Sequence, residues 1–288
     1  MLASFVGVLF DGVAYGSLLF LISVGLSVTL GLMNFVNLAH GAFAMLGGYV
    51  CVLAMLELGM PFLATLPIAF AATAGVGVVL ERTLYRRLYA ASHLDQVLFS
   101  IGLTFMAIAV ASYCFGPTQQ PVRLPAFLQG QWRVLGVDLG VYRVFLITLV
   151  VLIALALRFL VKRTRFGAQL RAAVDNQHVA RGVGINVGLV FSLTFALGSG
   201  LAGLGGALGI DVLGLDPTFP LKYLVYFLLV VSVGGAGSIP GSLGAALVLG
   251  VFDVAGKYYL PEVGAFIIYV LMVVLLVLFP AGLQGKRA

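Results

Sequence analysis

Long apolar runs decide what this chain can become. Runs at 5–30, 42–58, 61–80, 97–115, 141–161, 187–213, 221–234, 241–256 and 263–279 carry few charges. In hydrocarbon every backbone N–H and C=O must be paired within the protein, and a helix of about 20 residues achieves this across a bilayer. Charged residues make up 9% of the chain and hydrophobic ones 62%, whereas a soluble domain needs roughly 25% charged residues. The reading is an all-α polytopic membrane protein with about nine transmembrane segments. Because 221–234 and 241–256 are short, they read either as two spans or as one broken hairpin, so the range is about eight to ten. Unbroken rather than alternating runs exclude a β-barrel. The 37 glycines suit helices that pack closely in lipid.

Charge placement gives orientation. Arg82, Arg86, Arg87, Arg158, Lys162, Arg163, Arg165, Arg171, Arg181, Lys286 and Arg287 fall on one side of a nine-span chain, and Arg123, Arg133, Arg143, Lys222 and Lys257 on the other. Basic residues concentrate on the cytoplasmic side, which places the N-terminus outside and the C-terminus in the cytoplasm. The net charge of +6 is therefore topology information and not a nucleic-acid signal. Loop 116–140, with Pro117, Pro121, Pro125 and Trp132, reads as an ordered extracytoplasmic cap. The N-terminal run lacks a basic leader and reads as a mature helix. Cys51 and Cys114 lie inside apolar runs and read as two small buried hydrophobes, with no metal-binding or disulfide spacing.

The segment 162–186 is the longest strongly polar passage. Phe166, Leu170, Ala173, Val174 and Gln177 fall on one helical stripe, so a short amphipathic helix is expected, ended by Gly182 and Gly184. Such a face on a cytoplasmic loop suits a groove in a soluble partner.

Two passages interrupt the apolar sequence. In the first, Asn34, Asn37, His40 and Gly41 read either as a helix break lining a cavity or hinge, or as a cytoplasmic turn in which Asn37 caps the next helix. In the second, Gly234, Gly235, Gly237, Ser238, Pro240 and Gly241 cannot continue a regular helix. No GxxxxGK[ST] phosphate-binding loop occurs anywhere, so any ATP must be bound by another chain. A serine-protease reading of Ser238 with His40 lacks the GxSxG context. Asp11, Asp211, Asp216 and Asp253 could serve an ion-coupled secondary transporter, although Asp253 is expected to pair with Lys257 four residues on. No inverted repeat is legible in the sequence.

Three stretches together resemble the permease subunits of branched-chain amino acid ABC importers, on the LivH-like side of that family. They are Asn37-Leu38-Ala39-His40-Gly41 with Met45-Leu46-Gly47-Gly48-Tyr49, Arg171-Ala172 through Gly182-Val183-Gly184-Ile185-Asn186, and Gly234-Gly235-Ala236-Gly237-Ser238-Ile239-Pro240-Gly241. The resemblance implies one transmembrane permease domain over 1–288, working with cytoplasmic ABC ATPase subunits, a second permease subunit and a periplasmic solute-binding protein in the bacterial inner membrane. It implies no cofactor, no catalytic residue and no nucleic-acid partner. Segment 162–186 would be the coupling loop. Phe166, Leu170 and Val174 would meet the ATPase, Arg165, Arg171 and Asp175 would fix register, and Gly182 and Gly184 would end the element. The two breaks would line the pathway or act as hinges. Ala42 and Ala44 depart from the family's usual polar residue and tyrosine, and Phe279 stands where an arginine is common. The alternative is an ion-coupled secondary transporter or channel for small polar solutes.

Overall fold

The computed structural model describes residues 2–33, 35–89, 91–134, 136–279 and 282. Asn34, Lys286 and Arg287 lie outside the described residues, so the expectations placed on them stop at the sequence. Eleven α-helices are present among the described residues: α1 (Leu2–Met33), α2 (His40–Leu56), α3 (Phe62–Thr83), α4 (His93–Phe115), α5 (Val141–Arg163), α6 (Arg165–Asp175), α7 (Gln177–Gly182), α8 (Val187–Leu213), α9 (Phe219–Gly234), α10 (Ile239–Tyr259) and α11 (Gly264–Leu278). Each of the nine apolar runs coincides with a helix. Of these, α1, α3, α4, α5, α8 and α10 make six that are long and apolar enough to cross a membrane, while α2, α9 and α11 are shorter. The cap expected over 116–140 contains a hairpin of β1 (Gln131–Val134) and β2 (Val137–Gly140), paired antiparallel from Gln131 opposite Gly140.

The helices are arranged around the crossing of α1 and α8. A methyl group added at Gly25 would sit 2.2 Å from the Gly198 carbonyl oxygen, and one at Gly205 would meet Ile22. As α1 advances from Ile22 to Gly25 its neighbour retreats from Gly205 to Gly198, so the two helices run antiparallel. Only residues without a side chain allow backbones this close, and the reward is dense van der Waals contact along both helices.

That antiparallel pair reveals an inverted repeat. In the first unit α1 leads through irregular residues 35–37 and a turn to the short α2 and then to the long α3. In the second, α8 leads through irregular residues 214–216 and a turn to the short α9 and the long α10. The turns match in chemistry: Asn37 Oδ1 accepts from the Ala39 amide at 3.1 Å, and Asp216 Oδ1 accepts from the Thr218 amide at 2.8 Å. The packing matches as well. α1 lies antiparallel on α10, with Gly12 against Val251 and Gly16 against Ala246, while α8 lies antiparallel on α3, with Gly203 against Thr73. The repeat that is illegible in the sequence is therefore present in the backbone, because it is kept by spacing and Asx-turn chemistry and not by matching side chains.

The α1–α8 crossing should be intolerant of volume. Gly25→Ala is expected to lower stability by about 1–3 kcal/mol through overpacking, read as a fall in the thermal midpoint of the detergent-solubilised chain. Gly75→Ala, where nothing lies within 4 Å of an added methyl, should leave the midpoint unmoved or raise it. Equal effects at the two positions would remove the crossing from its central place.

Candidate functional site

The polar segment after α5 folds as two short helices, not the single one expected. Thr164 caps α6 by accepting from the Gly167 amide, and Asn176 then breaks the helix and caps α7 by accepting from the Val179 amide at 3.0 Å. Gly184, at φ +85°, turns the chain towards α8. The face expected to meet a partner is divided. Leu170 is 1% exposed and packs with Ala173, Ala180, Val187, Val190 and Phe191, with Phe166 half-buried against them. Leu170 therefore seats α6 on the start of α8 and offers nothing outward. Arg171 donates to the Val161 carbonyl at the end of α5. The apolar residues that do face outward are Val174, Val179 at 61% and Val183 at 72% exposure, beside the exposed Arg165, Asp175 and Gly182.

The first interruption is held inside the bundle. The amides of Val36 and Leu38 donate to Gln96 Oε1 and Ser100 Oγ, both at 3.1 Å, and Thr104 Oγ1 donates to the Leu38 carbonyl at 3.5 Å. Asn37 Oδ1 also accepts the Tyr85 hydroxyl at 3.0 Å. Burial raises the Tyr85 hydroxyl well above the usual phenol range, so it stays neutral and donates. The His40 Nε2–H donates to the Ile22 carbonyl at 2.7 Å, and Gly41 lies against Pro220 and Phe227 of α9. Ile22 stands eleven residues before the end of α1, so α2 begins about 16 Å along that helix from its end. Asn37 makes an Asx turn, while Ala39 occupies the N-cap position without a side-chain cap. Asn37 thus ties the turn between α1 and α2 to Tyr85, and His40 ties the start of α2 to the side of α1.

The second interruption is a short loop between α9 and α10. Gly235 and Gly237 take φ +87° and +80°, the Gly237 amide donates to the Ser27 carbonyl at 2.9 Å, and Ser242 Oγ donates to Ser27 Oγ at 2.8 Å. Ser238 Oγ caps α10 by accepting from the Gly241 amide, with Pro240 in the first turn where its missing N–H costs nothing. Gly234 and Gly241 pack against each other's backbone. Ser238 Oγ and the His40 ring are thus each engaged with backbone groups.

Other expectations meet mixed outcomes. Asp253 and Lys257 pair at 2.6 Å, with Lys257 also over the Tyr15 and Tyr226 rings, and Asp11 pairs with Arg143. Cys51 is buried and bonded to Thr65, but Cys114 is exposed, because it falls on the outward face of α4. No cluster of three potential metal ligands occurs among the described residues.

The family model for the branched-chain amino acid transport system permease component matches residues 8–276. The chain belongs to this permease family. It is 29% identical to the high-affinity branched-chain amino acid transport system permease protein BraD of Pseudomonas aeruginosa, over 96% of this chain and 95% of the relative. It is 27% identical to LivH of Escherichia coli K12, over 96% and 94%, and 26% identical to a probable LivH of Methanocaldococcus jannaschii, over 96% and 92%. No solved structure matches.

Sequence reading of this permease missed the residues that hold the first break. Gln96, Ser100 and Thr104 recur every four residues in an otherwise apolar span, a polar stripe that in lipid must find partners. That spacing was the available signal. Glu81 was missed too: it is 1% exposed and accepts hydrogen bonds from Ser192 Oγ and from Tyr89 Oη at 2.7 Å. Standing next to Arg82, it reads in sequence as part of a solvated loop.

Asn37→Ala should cost about 1–3 kcal/mol, because it strips the Ala39 amide and leaves the Tyr85 hydroxyl buried without an acceptor. The double variant Asn37→Ala/Tyr85→Phe should recover part of that loss in thermal unfolding. Additive losses would show that the Asn37–Tyr85 bond contributes nothing.

Proposed function

We propose that this chain is a membrane-spanning permease subunit of an ABC importer, forming the translocation pathway for branched-chain amino acids or related small solutes. The family match along nearly the whole chain carries the reading, and a sequence without a GxxxxGK[ST] loop supports ATP hydrolysis by separate subunits. In this reading all nine apolar helices span the bacterial inner membrane with the N-terminus outside and the C-terminus in the cytoplasm. A second permease completes the pathway, and a periplasmic solute-binding protein delivers the solute. The chain itself performs no catalysis.

The α6–α7 unit serves as the ATPase docking element, through Val174, Val179 and Val183 and with Arg165 and Asp175 at its border. Motion of that unit has a continuous route inward. Phe191 beside Leu170 meets Tyr89 edge-on at 5.9 Å, Tyr89 meets Phe35 at 5.9 Å, Phe35 meets Tyr85 at 5.2 Å, and Tyr85 bonds Asn37 at the first break. A close-packed chain of this kind moves as a unit rather than compressing. Docking on α6–α7 thereby biases the break between two arrangements, which is how ATP binding alternates access.

The inverted repeat and the buried Glu81 and Asp253 also favour a second reading, an ion-coupled transporter. Against it, Asp253 is already neutralised by Lys257, and Glu81 is enclosed by hydroxyl donors.

Val179→Glu with Val183→Glu should abolish co-purification of a P-loop ATPase while the permease inserts and elutes normally. Leu170→Glu should lower the folded yield instead, since it buries a charge at the α6–α8 contact. Tyr89→Leu should keep ATPase association and cut solute uptake by roughly tenfold or more, an amount equivalent to about 1.4 kcal/mol of lost coupling. Uptake in vesicles without nucleotide, undiminished in the Val179/Val183 variant, would establish the ion-coupled reading in its place.

A further inference from the structure

Asp253 of α10 is a carboxylate inside the bundle, 1% exposed. Lys257 Nζ donates to its Oδ2 at 2.6 Å, and the Tyr226 hydroxyl of α9 donates to its Oδ1 at 3.4 Å. The same ammonium lies 5.7 Å from the centre of the Tyr15 ring of α1 and 5.9 Å from that of Tyr226. One carboxylate and two aromatic rings, drawn from three helices, thus converge on a single ammonium group. An ordinary ion pair on a helix face needs none of this, since it sits in water and contributes little. A carboxylate within a membrane bundle is costly and marks function. Its partner is not locked in place: the Lys257 side chain is half exposed and stands two residues before the end of α10, and its flexible stem can carry the ammonium outward to water.

We propose that Asp253, Tyr15 and Tyr226 bind the α-ammonium group of a zwitterionic amino acid, and that Lys257 fills this site in the unloaded chain and takes the solute's carboxylate once displaced. The proposal rests on the importer reading above and narrows its solute from small polar molecules to zwitterions. A carboxylate flanked by aromatic rings supplies what an ammonium requires, a charge-assisted hydrogen bond and cation–π attraction. The exchange keeps every charge matched. Asp253 passes from the lysine ammonium to that of the solute, and Lys257 passes from Asp253 to the solute's carboxylate, so neither is left buried and unpaired. Asp253 stays neutralised throughout, and the exchange needs no driving ion. A carboxylic acid without the ammonium, or an uncharged amide, has nothing to replace Lys257 and leaves the pair closed. On the orientation proposed above, Lys257 lies towards the outer end of α10, the side from which an importer is loaded.

The test is equilibrium binding of leucine, 3-methylbutylamine and 4-methylpentanoate to the permease with its associated subunits, in mild detergent and without binding protein. The wild-type complex should bind leucine most tightly, the amine about tenfold more weakly and the acid not measurably. Lys257→Met removes the tethered competitor and the carboxylate's partner together, so the amine should gain about tenfold and overtake leucine. Tyr15→Leu should weaken the amine about fivefold, while Tyr15→Phe, which keeps the ring, should not. The paired variant Asp253→Asn/Lys257→Met leaves no buried charge alone, and it should elute as wild type does and bind neither amine nor leucine. Loss of structure would weaken all ligands alike and would not reverse their order. An unreversed order in Lys257→Met, or leucine binding unchanged in the paired variant, would overturn the inference and leave the importer reading standing. A wild-type complex that takes up no amino acid when given ATP and its binding protein would remove the importer reading itself, and the inference with it.

Discussion

Everything else in this structure depends on the approach of α1 to α8 at Gly25 and Gly198. In a bilayer no hydrophobic force drives one apolar helix onto another, so association rests on how much surface two helices can bring into contact. Backbone-to-backbone approach maximises that contact. It also fixes geometry, because two antiparallel helices in backbone contact create a local two-fold axis. The short and long helices that follow each of them are then placed in equivalent positions, α10 on α1 and α3 on α8. A larger residue at the crossing would separate the repeats before it disturbed any local fold.

The two units are alike in backbone and unlike in chemistry. Where the first unit turns back, its amides are satisfied from a neighbouring helix, by Gln96 and Ser100. Where the second turns back, the partners come from the loop between α4 and α5 and from α9: the Leu215 carbonyl accepts from the Gln120 amide, and the Leu213 carbonyl accepts from the Tyr223 hydroxyl. Both solutions meet the requirement that irregular backbone within a membrane protein be satisfied by protein. Among the described residues, the first is linked to the α6–α7 unit by aromatic contacts through Tyr85, Tyr89 and Phe191. The asymmetry follows from where the long polar segment enters the chain, between the first unit and the second.

The nine apolar runs were legible as helices because hydrocarbon leaves few alternatives, while ends such as His93 and Tyr259 lie three or four residues beyond the runs. The caps at Thr164, Asn176 and Ser238 follow local rules, and two of them fall at breaks visible in the sequence. What the sequence hid were relations between distant residues. Leu170 and Val174 share a stripe, yet α8 takes Leu170 inward and leaves Val174 outside, a division set by the register of packing and invisible to periodicity. Asn37 looks like a cap, but Ala39 takes the N-cap position, and Asn37 makes an Asx turn that also holds the distant Tyr85 hydroxyl. The inverted repeat escaped because its two halves share element lengths and one Asx turn, not residues.

Inverted repeats are often taken to mark secondary transporters, and the presence of one here forces a choice of argument. A repeat supplies two equivalent packings that can exchange, which serves any alternating-access device whatever drives it. The source of energy has to be read elsewhere. An ion-driven carrier needs a carboxylate that alternates between bound ion and solvent, and Asp253 already holds Lys257 while Glu81 is enclosed by two hydroxyl donors. An ATP-driven permease needs a place where a separate subunit can push. The α6–α7 unit, apolar outward at Val179 and Val183 and joined inward by aromatic contacts to the first break, has the form that such a push requires.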